Sequence, residues 1–119
     1  MKPLPISCPL AFLLSIVLSI APVGTITAAD AKNHIGERAA VCGKVASERT
    51  ATNSRGEQTL INLDTADSNQ AFAVLVWGDD RAIVEPLPHT GDRTCAEGLI
   101  ERDRGGAEIV VRSSAQLSR

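Results

Sequence analysis

The stretch that decides the fold is VCGKVASE, residues 41–48, where a cysteine precedes a glycine inside a segment patterned as a β-strand. Val41, Gly43 and Val45 share one side of such a strand, and Cys42 lies on the other side. A glycine near the middle of a strand permits a bend or bulge, because it has no Cβ to clash. The partner of Cys42 depends on the compartment in which the protein folds.

The first 29 residues have the three parts of an export signal. Lys2 supplies the positive start, residues 10–20 (LAFLLSIVLSI) are apolar apart from two serines, and residues 27–29 (TAA) form a small-residue cleavage site. The apolar run is too short to cross a membrane, which takes about 20 residues. We therefore predict a signal peptide over residues 1–29, one domain over 30–119, and release into the periplasm or the medium with no membrane attachment after cleavage.

Two cysteines remain in the predicted mature chain, Cys42 and Cys95, because Cys8 leaves with the signal. An even pair in a small exported domain is typical of a disulfide, and two separate buried thiols are the alternative. A zinc site needs four ligands, and His34 and His89 do not flank the cysteines at ligand spacing. We predict a Cys42–Cys95 disulfide, no metal site and no cofactor. A domain of this size has a marginal core, which a covalent bond helps to stabilise.

The residues after Ala29 fall into short alternating or apolar runs separated by polar turns, which is typical of an all-β domain. Strands are predicted at 38–49, 58–63, 71–77, 93–102 and 108–112, and the loop between the first two covers 50–57. Residues 79–87 predict a short helix that Asp79 caps, with Ile83, Val84 and Leu87 toward the core. The tail, 113–119, is predicted to fray, with docking of Leu117 as the alternative.

Five strands with one short helix between the third and fourth is the order of the OB-fold, a five-stranded Greek-key barrel. In this fold the first strand bends to serve both halves of the barrel and pairs with the fourth. Cys42 and Cys95 lie on those two strands, and both point away from the core if Val41 and Ala96 point inward. A bridge between them would lock the barrel seam from outside.

Several segments resemble the small bacterial OB-fold domains of nucleic-acid-binding type, which occur alone in exported proteins and fused to exported nucleases. They are HIGERAAVCGKVASE (34–48), QTLINLD (58–64), FAVLVWGDDR (72–81), CAEGLIERDRGGAEIVV (95–111) and SSAQL (113–117). The resemblance covers nearly all of the predicted mature chain and implies the OB-fold and nucleic-acid binding. The sequence departs from the pattern of such binders on its second strand, which has no aromatic residue.

OB-folds bind single strands across the second and third strands and the loops that join strands one to two and four to five. Bases stack on aromatic side chains, while a basic groove follows the phosphates. The predicted site therefore comprises Arg49, Arg55, Trp77, Arg102 and Arg104. Acidic residues alternate with these arginines, so a charge-balanced solvated surface is the alternative. For Trp77 the alternative is a place in the core, where large aromatic residues are usually found.

Catalysis finds no support in the sequence. No serine lies in a nucleophile elbow, and His34 and His89 have no obvious partner. Residues 64–70 (DTADSNQ) lack the spacing of a calcium loop. We predict a monomeric binding module that is not an enzyme. Its ligand is single-stranded nucleic acid in the first hypothesis. In the alternative it is another envelope protein, bound by an interaction or envelope-stress module, as the excess of acidic over basic residues suggests.

Overall fold

The computed structural model describes residues 24–65, 72–103 and 106–119, and these residues form mostly β-structure with one short helix. The strands are β1 (Thr25–Thr27), β2 (Arg38–Asn53), β3 (Gly56–Leu63), β4 (Phe72–Trp77), β5 (Arg93–Leu99), β6 (Glu101–Asp103), β7 (Gly106–Val110) and β8 (Leu117–Ser118). The helix α1 spans Arg81–Val84, and 3-10 turns cover Ala28–His34, Gly78–Asp80 and Ser114–Gln116. Within the described ranges, no helix is long and apolar enough to cross a membrane.

The strands form one curled sheet in the order β6-β7-β4-β3-β2-β5-β8, with β1 added in parallel to β2. The first half of β2 pairs with β5, and its second half pairs with β3. β6 lies at one end of this strand order and β5 lies near the other end. Because only Ile100 separates β5 from β6 in the chain, they form one nearly continuous ribbon that joins the two ends of the sheet. The sheet therefore curls into a half-barrel around its inner face.

The inner face of the sheet carries the core. The two inward series predicted from alternation are confirmed, since Val41, Gly43 and Val45 on β2 are buried and so are Ala96, Gly98 and Ile100 around β5. The largest fully buried side chains are Phe72, Ile61, Leu63, Ile100, Ile109, Val41, Val45, Val74, Val76, Val84 and Val111. The prediction for the helix is right in part, because Val84 and Leu87 are buried while Ile83 is 61% exposed. Asp79 lies inside the 3-10 turn and does not cap α1.

The predicted disulfide is present. Cys42 on β2 and Cys95 on β5 are register partners with Cα atoms 4.0 Å apart, and their sulfurs are bonded. Both residues are half-buried on the outer face, as their parity predicted. The row of register partners that contains the two cysteines continues to Thr27 on β1, next to Cys42, and to Ser118 on β8, next to Cys95. A disulfide in this position fits an oxidising environment.

The first hairpin is longer than the sequence predicted. Residues predicted as a loop, 50–57, belong almost entirely to β2 and β3, and the turn covers only residues 54 and 55. The Thr50 and Thr59 hydroxyls are 3.1 Å apart across the ladder, and Asn53 Oδ1 accepts a hydrogen bond from the Arg55 amide at 2.8 Å. The polar residues of this segment did not indicate a loop, because two solvent-exposed strands can pair through their backbones without burying apolar side chains.

Two short strands were not predicted. The first, β1, lies within residues 1–29, which were predicted to form a signal peptide, and it packs Ile26 and the adjacent Ala28 into the core. Residues 1–23 of that segment lie outside the described ranges. The second, β8, holds the tail that was predicted to fray, and Leu117 packs against the core as the alternative proposed. The Gln116 side chain fixes this tail, because its Oε1 accepts from the Arg112 amide at 2.7 Å and its Nε2 donates to the Glu97 carbonyl at 2.9 Å.

Gly43 is not the site of the bulge in β2 that the sequence suggested. The register of β2 shifts between Val45 and Ser47, so the irregularity lies at Ala46 rather than at Gly43. A Cβ on Gly43 would lie 2.9 Å from Oδ1 of Asp64, and this same oxygen accepts a hydrogen bond from the Lys44 amide at 2.9 Å. Gly43 therefore makes room for the carboxylate of Asp64 beside β2.

Substitution Gly43→Ala is expected to lower the free energy of unfolding by about 1 kcal/mol, because the new Cβ displaces the Asp64 carboxylate from the Lys44 amide. Urea denaturation of Gly43→Ala, Asp64→Ala and the double variant measures this effect. In the Asp64→Ala background the Gly43→Ala substitution should cost less than half as much, since the obstacle is gone. Fully additive losses would show that the two residues do not meet.

Candidate functional site

A groove with a volume of about 510 Å³ lies on the face of β3, β4 and β7 that is opposite to the core. One wall comes from β2 and the β2–β3 hairpin, through Arg49, Asn53 and Arg55. The other wall comes from β6, through Glu101 and Asp103. The groove is therefore open along the sheet and bounded by a basic side and an acidic side.

The strand register arranges the groove floor in rows. The middle row runs from Arg49 through Leu60 and Leu75 to Val110, so the centre of the floor is apolar. On one side of this row, Gln58 is paired with Trp77. On the other side, a row runs through Asn62, Ala73, Glu108 and Glu101, so two carboxylates face each other across β6 and β7.

Trp77 lies at the end of β4 and is half-buried in the groove rather than enclosed in the core. The guanidinium carbon of Arg55 lies 5.4 Å from the centroid of the Trp77 ring. This distance is within the range of a cation–π interaction. Because the hairpin turn holds Arg55 over the indole, the pair presents an aromatic surface and a positive charge at the same place.

The charges of the groove are separated rather than paired. Arg49, Arg55 and Arg112 line it together with Glu101, Asp103 and Glu108. Within the part of the chain that the structure describes, none of these six residues makes an ion pair within 4.0 Å. Three cations thus remain available to an anionic ligand, and three carboxylates oppose it at the other side.

The carboxyl group of Glu108, which lines the groove, has a raised pKa. Partial burial, and after it the nearby carboxylates of Asp103 and Glu101, together raise the pKa of Glu108 to about 7, while Arg55 opposes the rise. Glu108 is therefore near its titration midpoint at neutral pH. The net charge of the groove therefore changes near neutral pH, where most carboxyl groups remain ionised.

The structure brings three of the five predicted site residues together. Arg49, Arg55 and Trp77 all line the groove. Arg102 is exposed on β6, but it alternates with Glu101 and Asp103 and is absent from the groove lining. Arg104 lies outside the described residues.

The predicted site left out Arg112, and the acidic residues were considered only as charges that balance the arginines, not as a separate wall of the groove. Arg112 follows Glu108 and Val110 at two-residue spacing, so alternation along residues 108–112 could have placed all three on the groove face. The same alternation would have separated Arg102 from Glu101. The prediction relied on loop membership and did not apply the strand parity to these residues.

The two histidines have partners outside the groove, contrary to the sequence-based expectation. His34 Nδ1 lies 2.9 Å from a Glu37 carboxylate oxygen and Nε2 lies 3.1 Å from that of Asp30, and these contacts raise the pKa of His34, that to Glu37 most strongly. His89 lies 3.3 Å from Glu48. Neither histidine lines the groove. Across the described ranges, no cluster of three or more histidine, cysteine or acidic residues could hold a metal ion.

A scan against protein-family models found no family that matches this chain, and a search of curated proteins found no match either. The site is therefore defined by its own geometry.

Proposed function

We propose that this chain is an exported OB-fold module that binds single-stranded nucleic acid in the groove, without sequence-specific contacts. Three features of the fold support the OB assignment. One long strand, β2, is shared by two neighbours, β4 and β7 pair in parallel, and α1 connects β4 to β5. With β5 and β6 taken as one interrupted strand, these pairings match the order expected of a five-stranded OB barrel, which supports the proposal. The disulfide and the signal-like start of the sequence support export.

The observation that carries the proposal is the placement of Arg55 over Trp77, beside Arg49 and Arg112, which make no ion pair with any residue in the described ranges. A base can stack on an indole while cations contact its flanking phosphates, which is how OB-folds bind single strands without reading sequence. The groove also lies on the central strands and the first hairpin, where this class of fold holds its ligands. The apolar floor formed by Leu60, Leu75 and Val110 offers contact to further bases.

A second candidate function is binding of an extended peptide from another envelope protein. The carboxylates of Glu101, Asp103 and Glu108 favour it, since they oppose phosphate and suit a basic side chain. A peptide that is acidic at one end and basic at the other would match both walls.

Fluorescence of Trp77 can test both functions, because it is the only tryptophan in the chain. A thymidine oligonucleotide of about ten residues should quench it at low salt, with a Kd in the range of about 10⁻⁶ to 10⁻⁴ M. Substitution Arg49→Ala should weaken binding several-fold and reduce the dependence of log K on log salt by about 0.7, the loss of one phosphate contact.

The matched control is Arg93→Ala, which removes an exposed arginine from β5, outside the groove. Equal losses in the two variants would show that binding follows net charge alone and not the groove. Absence of quenching by the oligonucleotide at low salt would overturn the nucleic-acid proposal. Quenching by a basic decapeptide in its place would assign the groove to protein interaction.

A further inference from the structure

We propose that Glu108 determines the affinity of the groove for its anionic ligand, repelling the ligand while ionised and admitting it once protonated. This inference rests on the proposed function, since it concerns the same groove. It adds a specificity-determining residue and a direction of regulation: binding of a phosphate-bearing strand is stronger at mildly acidic pH.

The geometry places Glu108 among like charges. On β6, Glu101 is its direct register partner, and Asp103 lies two residues further along on the same face. Carboxylates directly opposite each other on antiparallel strands repel. On β4 and β3, the residues in the same row are Ala73 and Asn62, which bring no charge.

Two of the groove's three cations lie on its opposite wall, and the third, Arg112, follows the strand that carries Glu108. Arg55 comes from the β2–β3 hairpin and is close enough to oppose the rise in the pKa of Glu108. Arg49 belongs to the middle row on β2, and Arg112 lies four residues beyond Glu108, or about 13 Å along an extended strand. A strand of nucleic acid that contacts these arginines must pass beside Glu108 to occupy the rest of the groove.

Protonation of Glu108 removes one negative charge from the acidic side of the groove. The pKa of this carboxyl is about 7 in the free protein. A phosphate nearby favours the neutral form and raises the pKa again in the complex, so binding takes up a proton. Affinity for the anion therefore rises as pH falls through about 7 and is lowest where Glu108 is fully ionised.

The test is a Trp77 fluorescence titration with a thymidine oligonucleotide at about pH 5.5 and about pH 8.5, at one salt concentration. Thymine and the phosphodiester do not titrate in this range, so any change belongs to the protein. We expect roughly tenfold tighter binding at the acidic pH, the effect of removing one like-charge contact at the protein surface. Substitution Glu108→Gln should bind at about pH 8.5 as tightly as the unchanged chain binds at about pH 5.5.

The matched control is Glu97→Gln, which removes one exposed carboxylate on β5, outside the groove, and so changes the net charge equally. It should keep the full pH dependence. Binding that does not vary with pH, or a Glu97→Gln variant that loses the dependence as Glu108→Gln does, would overturn this inference while leaving the proposed function in place. Failure of every variant to bind the oligonucleotide at either pH would overturn the proposed function and this inference together.

A measurement without ligand adds a separate outcome. Carbon NMR of the side-chain carboxyl of Glu108 should show a midpoint near 7, whereas an unperturbed glutamate titrates at about 4.3. A midpoint below about 5 would overturn the inference whatever the ligand, because Glu108 would then stay ionised across the range tested.

Discussion

Simultaneous substitution of Cys42 and Cys95 by alanine is expected to lower the free energy of unfolding by about 4 kcal/mol. The bond joins residues 53 apart in sequence, and in the chain-entropy account a loop of that length gives about this stabilisation. A small domain has a total stability of about 5–15 kcal/mol, so the variant retains little margin. The double substitution avoids leaving one reactive thiol unpaired.

Guanidinium denaturation of the oxidised chain, the reduced chain and the double alanine variant measures this loss. The reduced chain and the variant should have similar midpoints, both well below that of the oxidised chain. Substitution Ser114→Ala is a useful control, because this residue is exposed and lies on the outer surface near the tail. A double variant that unfolds at the same midpoint as the oxidised protein would show that the bond does not stabilise the seam.

The second large effect concerns the strand that precedes the predicted cleavage site. A chain that begins at Asp30 is expected to be less stable by about 3 kcal/mol than one that begins at Gly24. Removal of Ile26, which is only 8% exposed, loses the burial of a large apolar side chain, about 1.5–3 kcal/mol. Removal of Thr27 also loses the cap whose Oγ1 accepts a hydrogen bond from the Asp30 amide at 3.2 Å, about 1 kcal/mol.

Thermal unfolding of the two purified chains measures the difference. Substitution Ile26→Ala in the longer chain separates packing from capping, since it should cause more than half of the loss, whereas Thr25→Ala at an exposed neighbouring position should cost little. Equal melting temperatures for the two starts would show that β1 contributes nothing to the fold. If cleavage follows Ala29, as the small residues there predict, the released domain has the lower stability of the shorter chain.

The parts of the fold that the sequence predicted are those where alternation and chemistry agree. Along β2, Val41 and Val45 point inward while Cys42 points outward, and this parity predicted both the core side and the disulfide with Cys95. The short helix was also predicted, although Ile83 proved to be exposed. Its apolar character suggested burial, but a helix of one turn buries only part of its surface.

The two strands that escaped prediction have no periodic signal of their own. Three residues in β1 and two in β8 are too few to show alternation, and residues 27–29 also matched a cleavage motif. Their pairing depends on tertiary contacts, such as those made by the Gln116 side chain to the Glu97 carbonyl. Such contacts join residues that are distant in sequence.

Of the predicted site residues, Arg49, Arg55 and Trp77 line one groove, because the topology brings the first hairpin beside the third predicted strand. Their role in binding stays a prediction. The raised pKa of Glu108 could not be predicted, since it depends on burial and on the opposing strand that carries Glu101. The pairing of Glu101 with Glu108 follows from the register of β6 against β7, which is seen only in the folded chain.

The row that joins Thr27, Cys42, Cys95 and Ser118 has a mechanical consequence. Tension applied through the segments before β1 and after β8 acts first on these two outer strands, which are held by few hydrogen bonds. Once they peel away, the pull still has to unravel the chain between β1 and Cys42 and the chain between Cys95 and β8, which includes β6 and β7, before it reaches the covalent crosslink. Extension of the 53-residue span between the cysteines is then blocked. A fully pulled molecule should therefore stop short of the length of its open chain, by the length of that span, until the sulfur bond is reduced.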